Sequence, residues 1–290
     1  MKVFIFGQRW NKENQNHINL LFDKLEKENI EFKLNEDFAN QAETSYEKEK
    51  LVANHEGLRI YNPDYIITLG GDGTILAATL LVRDLETPIM GINLGRLGFL
   101  ASIEQERIEK AIDQLKSKEY SISKRNMISL HSNPDIFGEE NFALNDFTIS
   151  KRDNSSMIVL HTFIDDVFLN SYWADGLIVS TATGSTGYSL SCGGPIIFPS
   201  SDSFILTPIA PHNLNVRPIV ISGNHKISFK IEGRSENYLC TMDSRHKIID
   251  SKHEIKLSRN KFNTCLIRLD GDNFMQTIRH KLNWGLDKRN

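Results

Sequence analysis

The sequence predicts an α/β plus all-β chain. A Rossmann-like α/β domain spans residues 1–120, and an antiparallel β-sandwich-like domain spans residues 121–269. Residues 270–290 return as a helix to the first domain. Three observations predict this. The first ~120 residues alternate short apolar runs with amphipathic stretches, as α/β units do. After Lys118 the period changes to many short strand-like runs at close spacing, which suits an antiparallel sandwich. Beyond Asp272 the pattern becomes helical again.

In order, Lys2 to Phe6 reads as a strand, and Ile18, Leu20, Leu21, Phe22 and Leu25 form a stripe with helical spacing. Ile30 to Leu34 is a short strand. Glu43 to Ile60 is charged and reads as a helix, with Leu51, Val52 and Leu58 as its apolar face. Tyr65–Leu69 is a strand, Thr74–Val82 a helix, Pro88–Asn93 a buried strand and Glu104–Leu115 a helix. Buried strands separated by helices imply a parallel sheet covered on both faces. The ligands of such sheets sit at the carboxyl ends of the strands. Strand candidates then follow at Tyr120–Ile122, Asn126–Leu130, Phe142–Ser150, Met157–Ile164, Val167–Tyr172, Leu177–Thr181, Ile219–Ile221, Lys226–Ile231, Tyr238–Met242 and Glu254–Leu257. Asp165-Asp166 reads as a hairpin turn. Asp272 is placed to cap a last helix running through Phe274, Ile278 and Leu282 to Trp284 and ended by Gly285.

The densest chemistry lies at the end of the Tyr65–Leu69 strand, in Gly70-Gly71-Asp72-Gly73-Thr74. Glycines let backbone approach a ligand closely, and the following helix start offers unpaired N–H groups to an anion such as phosphate. A carboxylate beside phosphate needs a purpose other than attraction. For Asp72 the options are general base, metal ligand and hydroxyl orienter. The run is neither a P-loop nor a Gly-x-Gly-x-x-Gly fingerprint. A second glycine-bearing segment, Asn93 to Phe99, also lies at a strand end.

The other dense segment is Asp175 through Ser191. There a strand runs into Thr181-Ala182-Thr183-Gly184-Ser185-Thr186-Gly187-Tyr188, then Ser189-Leu190-Ser191. Hydroxyls and exposed N–H groups at a helix start suit a ligand bearing phosphate or sugar. Thr183 or Ser185 is placed to cap that helix. Tyr188 is placed either to stack on a base or to pack in the core. Asn145-Asp146 is a third, less specific candidate.

Composition excludes several classes. A formal net charge of −3 gives no electrostatic footprint for nucleic acid or an anionic membrane. The 3 cysteines are scattered, which argues against a disulfide framework and suits a cytoplasmic protein. No run approaches the ~20 apolar residues of a membrane span, and the start reads as a strand and not as a signal peptide. There is no His-Glu-x-x-His, Cys-x-x-Cys or Gly-x-Ser-x-Gly, so neither a zinc site nor a serine elbow is expected, and no protein metal site is assigned.

Together, Gly70–Thr74, Gly95-Arg96-Leu97-Gly98-Phe99, Leu144-Asn145-Asp146, Asp175 through Tyr188, Leu206-Thr207-Pro208-Ile209-Ala210-Pro211 and the closing Phe274 to Arg289 segment resemble the NAD kinase family, in its order. The Gly-Gly-Asp-Gly run alone is shared with lipid kinases and phosphofructokinases. The Asp175–Tyr188 block is far more specific. The resemblance implies transfer of the ATP γ-phosphoryl group to the 2′-hydroxyl of the adenosine ribose of NAD, giving NADP. Asp72 matches the family's catalytic aspartate. Gly70, Gly71, Gly73 and Thr74 match the triphosphate turn, with Mg²⁺ or another divalent metal arriving on ATP. Asn145 and Asp146 match residues that hold the NAD ribose and adenine, and Asp175 a carboxylate near the nicotinamide end. Thr183, Thr186, Gly187, Tyr188, Ser189, Leu190 and Ser191 match the adenine and ribose pocket, and Phe99 and Ala210 match lining positions. A homodimer or homotetramer is implied. Two positions depart from the common pattern: Ala182 stands where many members have proline, and Gly187 where many have alanine. A lipid kinase of the diacylglycerol or sphingosine type and a non-catalytic NAD(P)-sensing module are the alternatives. The charge balance and the hydroxyl cluster oppose the first, and the intact Asp72 opposes the second.

Overall fold

The computed structural model describes residues 1–42, 46–152, 156–233 and 236–285. It divides into two compact units, Met1–Lys124 with Thr264–Asn290, and Arg125–Asn263.

The first unit is built on one sheet. In spatial order its strands are Leu51–Val52, Glu31–Asn35, Lys2–Gly7, Tyr65–Leu69, Ile89–Asn93, Thr264–Leu269 and Tyr120–Arg125, with Ile103–Glu104 also pairing with Ile89–Asn93. The central pairs are parallel, with Val3 opposite Tyr65 and Ile67 opposite Met90. Alternation along the strands sends side chains to both faces. One face presents Val3, Ile5, Ile67, Leu69, Met90 and Ile92 to Ile18, Leu21 and Leu25 of helix Gln15–Lys27 and to Ile108, Ile112 and Leu115 of helix Ile108–Ser117. Phe4, Ile66, Leu58, Ile75 and Val82 are also fully or almost fully buried, and the last three lie on helices His55–Tyr61 and Asp72–Val82. The carboxyl ends of Lys2–Gly7, Tyr65–Leu69 and Ile89–Asn93 thus come together beside the start of helix Asp72–Val82.

The second unit is an antiparallel sandwich of two six-stranded sheets. One runs Ile219–Ser222, Ser203–Ile209, Gly176–Thr181, Asp146–Lys151, Tyr238–Met242, Arg245–Ile249. The other runs Val167–Ala174, Ile158–Ile164, Ile227–Glu232, Glu254–Arg259, Ile128–Asn133, Phe142–Ala143. Phe147, Ile149, Leu177, Val179, Leu206 and Met242 of the first sheet share a core with Leu130, Leu160, Phe229 and Leu257 of the second. On the opposite face of the first sheet the alternate residues Thr148, Ser180 and Thr207 are also buried, and Asp146 is nearly so. That second, polar face lies under the Gly184–Gly194 segment, where Ser189 Oγ and Thr207 Oγ1 are 2.8 Å apart.

The structure differs from the sequence expectations at identifiable places. Phe142–Ser150 is not one strand. Phe142–Ala143 pairs in one sheet and Asp146–Lys151 in the other, with Leu144-Asn145 as the crossing. Glu43–Ile60 is not a helix over its described part: Leu51–Val52 pairs with Leu34–Asn35, and Asn54 caps a short helix at His55–Tyr61; residues 43–45 lie outside the described residues. Tyr120–Arg125 joins the first sheet. Three strands of more than two residues escaped the sequence reading. Pro208 interrupts the signal of Ser203–Ile209, Arg245–Ile249 is polar and lies on an edge, and Thr264–Leu269 returns to the first sheet beside Ile89–Asn93. The last helix, Phe274–Leu282, is capped by Asn273 and not by Asp272, whose carboxylate instead meets Arg107 at 3.1 Å. The helix stops at left-handed Asn283, before Gly285, and lies in the first unit, where Lys281 donates to Leu97 O at 2.7 Å.

Gly91 marks how tightly the first sheet is packed beneath the strand ends. A Cβ there would stand 2.6 Å from Ile75 Cδ1 and 2.9 Å from Ala101 Cα. Backbone cannot yield cheaply, so Gly91→Ala is expected to lower unfolding stability by about 1–3 kcal/mol in denaturant titration. Unchanged stability would mean that this layer is loose.

Candidate active site

The Gly-rich turn owes its shape to two different demands on its glycines. Gly70 has φ +148°, and a Cβ there would meet Thr74 Oγ1 at 2.2 Å, so the fold itself requires glycine. Gly71 and Gly73 have no such constraint: a Cβ on either would meet nothing within 4 Å. Their missing side chains leave open space at the surface of the turn. Gly70, Gly71 and Thr74 line a cavity of about 370 Å³ together with Gln8, Arg9, Asn11, Asn14, Leu69, Asn93, Leu94, Gly95 and Arg96. Arg9 was missed in the sequence reading, and Arg96 stood there only within the Gly95–Phe99 run, with no role of its own. The strand-end rule, which pointed to Asn93–Phe99, was the signal that could have found Arg9, just beyond the Lys2–Gly7 strand.

Asp72 occupies the first turn of its helix. Its carboxylate accepts three consecutive backbone N–H groups of one loop. Phe99 N donates to Oδ2 at 2.8 Å, and Leu100 N and Ala101 N both donate to Oδ1 at 2.9 Å. Gly98 makes this approach possible, because a Cβ there would sit 1.8 Å from Oδ1. Other side chains brace the same loop. Asn93 accepts from Gly95 N and donates to Arg96 O. Arg268, from the returning strand, donates to Phe99 O at 3.1 Å and Ser102 Oγ at 2.8 Å. Lys281 donates to Leu97 O and lies 5.9 Å from the centre of the Phe99 ring. A carboxylate has about four acceptor sites. Among the described residues Oδ1 has two donors and Oδ2 has one, which leaves one acceptor position on Oδ2.

In the second unit Asn145-Asp146 and the Thr181–Gly187 turn, far apart in sequence, are in direct contact. Thr181 N donates to Asn145 O at 2.9 Å, and Thr181 Oγ1 donates to Leu144 O at 2.7 Å and accepts from Gly184 N. A Cβ on Gly184 would fall 2.0 Å from Asn145 O, so glycine is required there. At Gly187 a Cβ would meet Gly184 O at 3.3 Å and Asn145 Nδ2 at 3.9 Å, so a methyl nearly fits. The hydroxyls are largely spent internally. Ser185 Oγ donates to Ala182 O, Thr186 Oγ1 donates to Thr183 O, and fully buried Ser189 bonds Thr207. Neither Thr183 nor Ser185 caps a helix through its side chain, because the segment forms only a short turn and the four-residue helix Tyr188–Ser191. Tyr188 is 48% exposed and is therefore not a core residue. Leu190 is half-buried and Ser191 exposed.

Asp175 lies at the other end of strand Gly176–Thr181. Its N–H bonds Ile209 O next to Ala210, and its carboxylate pairs with Lys151 at 2.8 Å. Ala210 is exposed and adopts φ 44°, which is unusual for a residue with a Cβ. Six strand residues at ~3.3 Å each separate Asp175 from the Thr181 end by roughly 20 Å.

The residue most clearly missed is Asp243. Its carboxylate accepts Leu144 N at 2.9 Å, Asn145 N at 2.8 Å and Asp146 N at 3.2 Å, repeating the Asp72 arrangement. Burial first, and the neighbouring Asp243 carboxylate second, push the Asp146 carboxyl up to about 7 against the opposing Thr148 hydroxyl. Burial also raises Asp243, against the three N–H donors and Arg245.

With this geometry in view, the comparisons are decisive. The ATP-NAD kinase N-terminal domain family matches residues 8–120, and the ATP-NAD kinase C-terminal domain family matches residues 144–273. The chain belongs to the ATP-NAD kinase family. It is thus a phosphotransferase. The NAD kinase of Cytophaga hutchinsonii is 44% identical over 288 residues, which cover 99% of each chain. Among solved structures, an NAD kinase from Archaeoglobus fulgidus in complex with ATP is 25% identical with TM-score 0.78, covering 98% of this chain and 99% of that one. Yeast NADH kinase complexed with NADH shares the fold, with TM-score 0.86 at 21% identity over 99% of this chain and 88% of that one.

The Asp146 shift has a testable consequence. Its folded pKa, about 7, lies above the ordinary 3.8, so folding favours the protonated form. The associated stability is fully present below pH ~4 and is lost as pH rises through ~7. This contribution is therefore expected to fall away between about pH 4 and 7 in ligand-free protein, and Asp146→Asn is expected to reduce that slope in urea titrations. A slope identical in the variant would mean that Asp146 does not titrate in this range.

Proposed function

We propose that this chain transfers the γ-phosphoryl group of ATP to the 2′-hydroxyl of the adenosine ribose of NAD, with Asp72 as general base. The observation that carries the role of Asp72 is the single open acceptor position on an otherwise fully bonded carboxylate. Three N–H donors fix the orientation of the group, and the open position on Oδ2 accepts the hydroxyl proton. As that proton leaves, the ribose oxygen bonds to the γ-phosphorus and the bond to the ADP leaving group breaks. The cavity beside Gly70, Gly71 and Thr74 holds the triphosphate, with Arg9 and Arg96 supplying positive charge.

A divalent metal fits this site as a partner of the phosphates. The cavity lining offers neutral oxygens from Gln8, Asn11, Asn14, Thr74 and Asn93 but no carboxylate. Among the described residues no group of three or more His, Cys, Asp or Glu side chains could hold a metal. Mg²⁺, when bound, would neutralise phosphate charge and be held mainly by phosphate oxygens and water.

Asn145 and Asp146 hold the adenosine ribose in this reading, with Thr183, Thr186, Gly187 and Tyr188 around it, and Asp175 lies toward the nicotinamide. The ~20 Å strand between the two groups suits an extended dinucleotide. An assembly of two or four copies and a cytoplasmic setting belong to the same proposal. Among the described residues, no helix is long and apolar enough to cross a membrane. Nothing observed favours the lipid kinase or sensor alternatives.

A coupled assay with NAD, ATP and Mg²⁺ is expected to yield NADP, and no product at any donor concentration would remove this reading. Asp72→Asn is expected to lower kcat by ~10²–10⁴ with a much smaller change in NAD affinity. Near-normal turnover would leave Asp72 as a brace alone.

The open space at Gly71 gives an independent check. Gly71→Ala meets no protein atom and should unfold like wild type, yet it should raise KM for ATP several-fold by filling space the triphosphate needs. An unchanged KM would place the triphosphate elsewhere.

A further inference from the structure

We infer that Asp243 is a positioning residue for the reaction: it fixes the backbone of Leu144–Asp146 so that Asn145 and Asp146 present their side chains to the ribose. This rests on the proposed role of Asn145 and Asp146. Three features of the structure carry it.

First, Leu144-Asn145 is the crossing between the two sheets of the sandwich, so its N–H groups have no ladder partners there. All three N–H groups of Leu144–Asp146 go instead to one carboxylate, with Oδ2 serving Leu144 and Oδ1 serving Asn145 and Asp146. The tie runs both ways, because Asp243 N donates to Asp146 O at 2.9 Å.

Second, Asp243 sits in the two-residue turn between strands Tyr238–Met242 and Arg245–Ile249, with φ 50°. Glycine is the residue of least strain for that conformation. Aspartate tolerates it and adds the one side chain that accepts three N–H donors at short reach. Third, the turn is itself anchored. Arg245 donates to Glu140 O and Phe142 O, the residues leading into the crossing, and its guanidinium lies 5.5 Å from the centre of the Phe137 ring.

The carbonyl side of the crossing is held as firmly. Thr181 takes both Leu144 O and Asn145 O. The Asn145 side-chain amide lies near Gly187, at the edge of the turn. Loosening Asp243 frees the N–H side and lets this amide drift.

The test compares Asp243→Asn, Asp243→Glu and Asn145→Ala in steady-state kinetics, varying NAD and ATP separately. An asparagine replaces one acceptor oxygen with an NH2 donor that faces N–H donors, and so loses at least one bond. The expected result is a rise in KM for NAD of tenfold or more in Asp243→Asn, with KM for ATP within twofold of wild type. Asp243→Glu keeps the carboxylate and is expected to recover part of the NAD affinity. A purely structural role would lower the active fraction, and so kcat, with both KM values unchanged, and that outcome overturns the inference. An equal rise in both KM values overturns it as well. If Asp243→Asn does not fold, Asp243→Glu alone decides, through a KM increase confined to NAD or its absence. If Asn145→Ala leaves KM for NAD unchanged, the assignment of Asn145 fails. If Asn145→Ala raises it and the Asp243 variants do not, the inference alone fails.

Discussion

The first unit depends on the bond set between the Asp72 carboxylate and the backbone of Phe99–Ala101. Loop N–H groups away from ladders and helices need partners, or they cost free energy. Here three of them are satisfied at once by one charged acceptor, and charge-assisted bonds are about twice as strong as neutral ones. The arrangement explains the return of the chain's end to the first sheet. Thr264–Leu269 delivers Arg268 to Phe99 O, and Phe274–Leu282 delivers Lys281 to Leu97 O. It also explains how a carboxylate can stand beside the cavity proposed for the triphosphate. Its charge is turned onto N–H donors, and only one acceptor position faces outward.

The second unit reaches the same solution independently. Asp243 does for Leu144–Asp146 what Asp72 does for Phe99–Ala101. In both places the carboxylate holds backbone outside the ladders, at Phe99–Ala101 and at Leu144-Asn145, where secondary structure supplies no rigidity. A triply bonded carboxylate supplies it instead. Preorganisation of this kind limits what must be ordered when the ligand binds. The hydroxyl-rich turn contributes in a related way. Thr181, Ser185 and Ser189 hold its shape, which leaves backbone and the exposed Tyr188 to face outward.

Much of this was legible in the sequence. The strand–glycine–helix pattern around Asp72, the change of period after Lys118 and the Asp175–Tyr188 block lead to the fold and the family. The rest was not, for physical reasons. The sheet crossing at Leu144-Asn145 lies inside a run whose composition is that of one strand, and only the partner carboxylate from Asp243 reveals the break. Asp243 itself looks like any turn aspartate. Thr264–Leu269 pairs across most of the chain's length, and no local pattern reports a partner that far away. The internal use of hydroxyls at Ser185 and Ser189 depends on tertiary neighbours, Ile197 and Thr207, that spacing alone does not name.

Amide hydrogen exchange tests the central claim most directly. The N–H groups of Phe99, Leu100 and Ala101 lie outside any helix or strand. The account predicts that they nonetheless exchange slowly in ligand-free wild type, and that Asp72→Ala releases those three while the Ile89–Asn93 strand stays protected. Exchange at unprotected rates in wild type, or protection that survives the loss of the carboxylate, would contradict it.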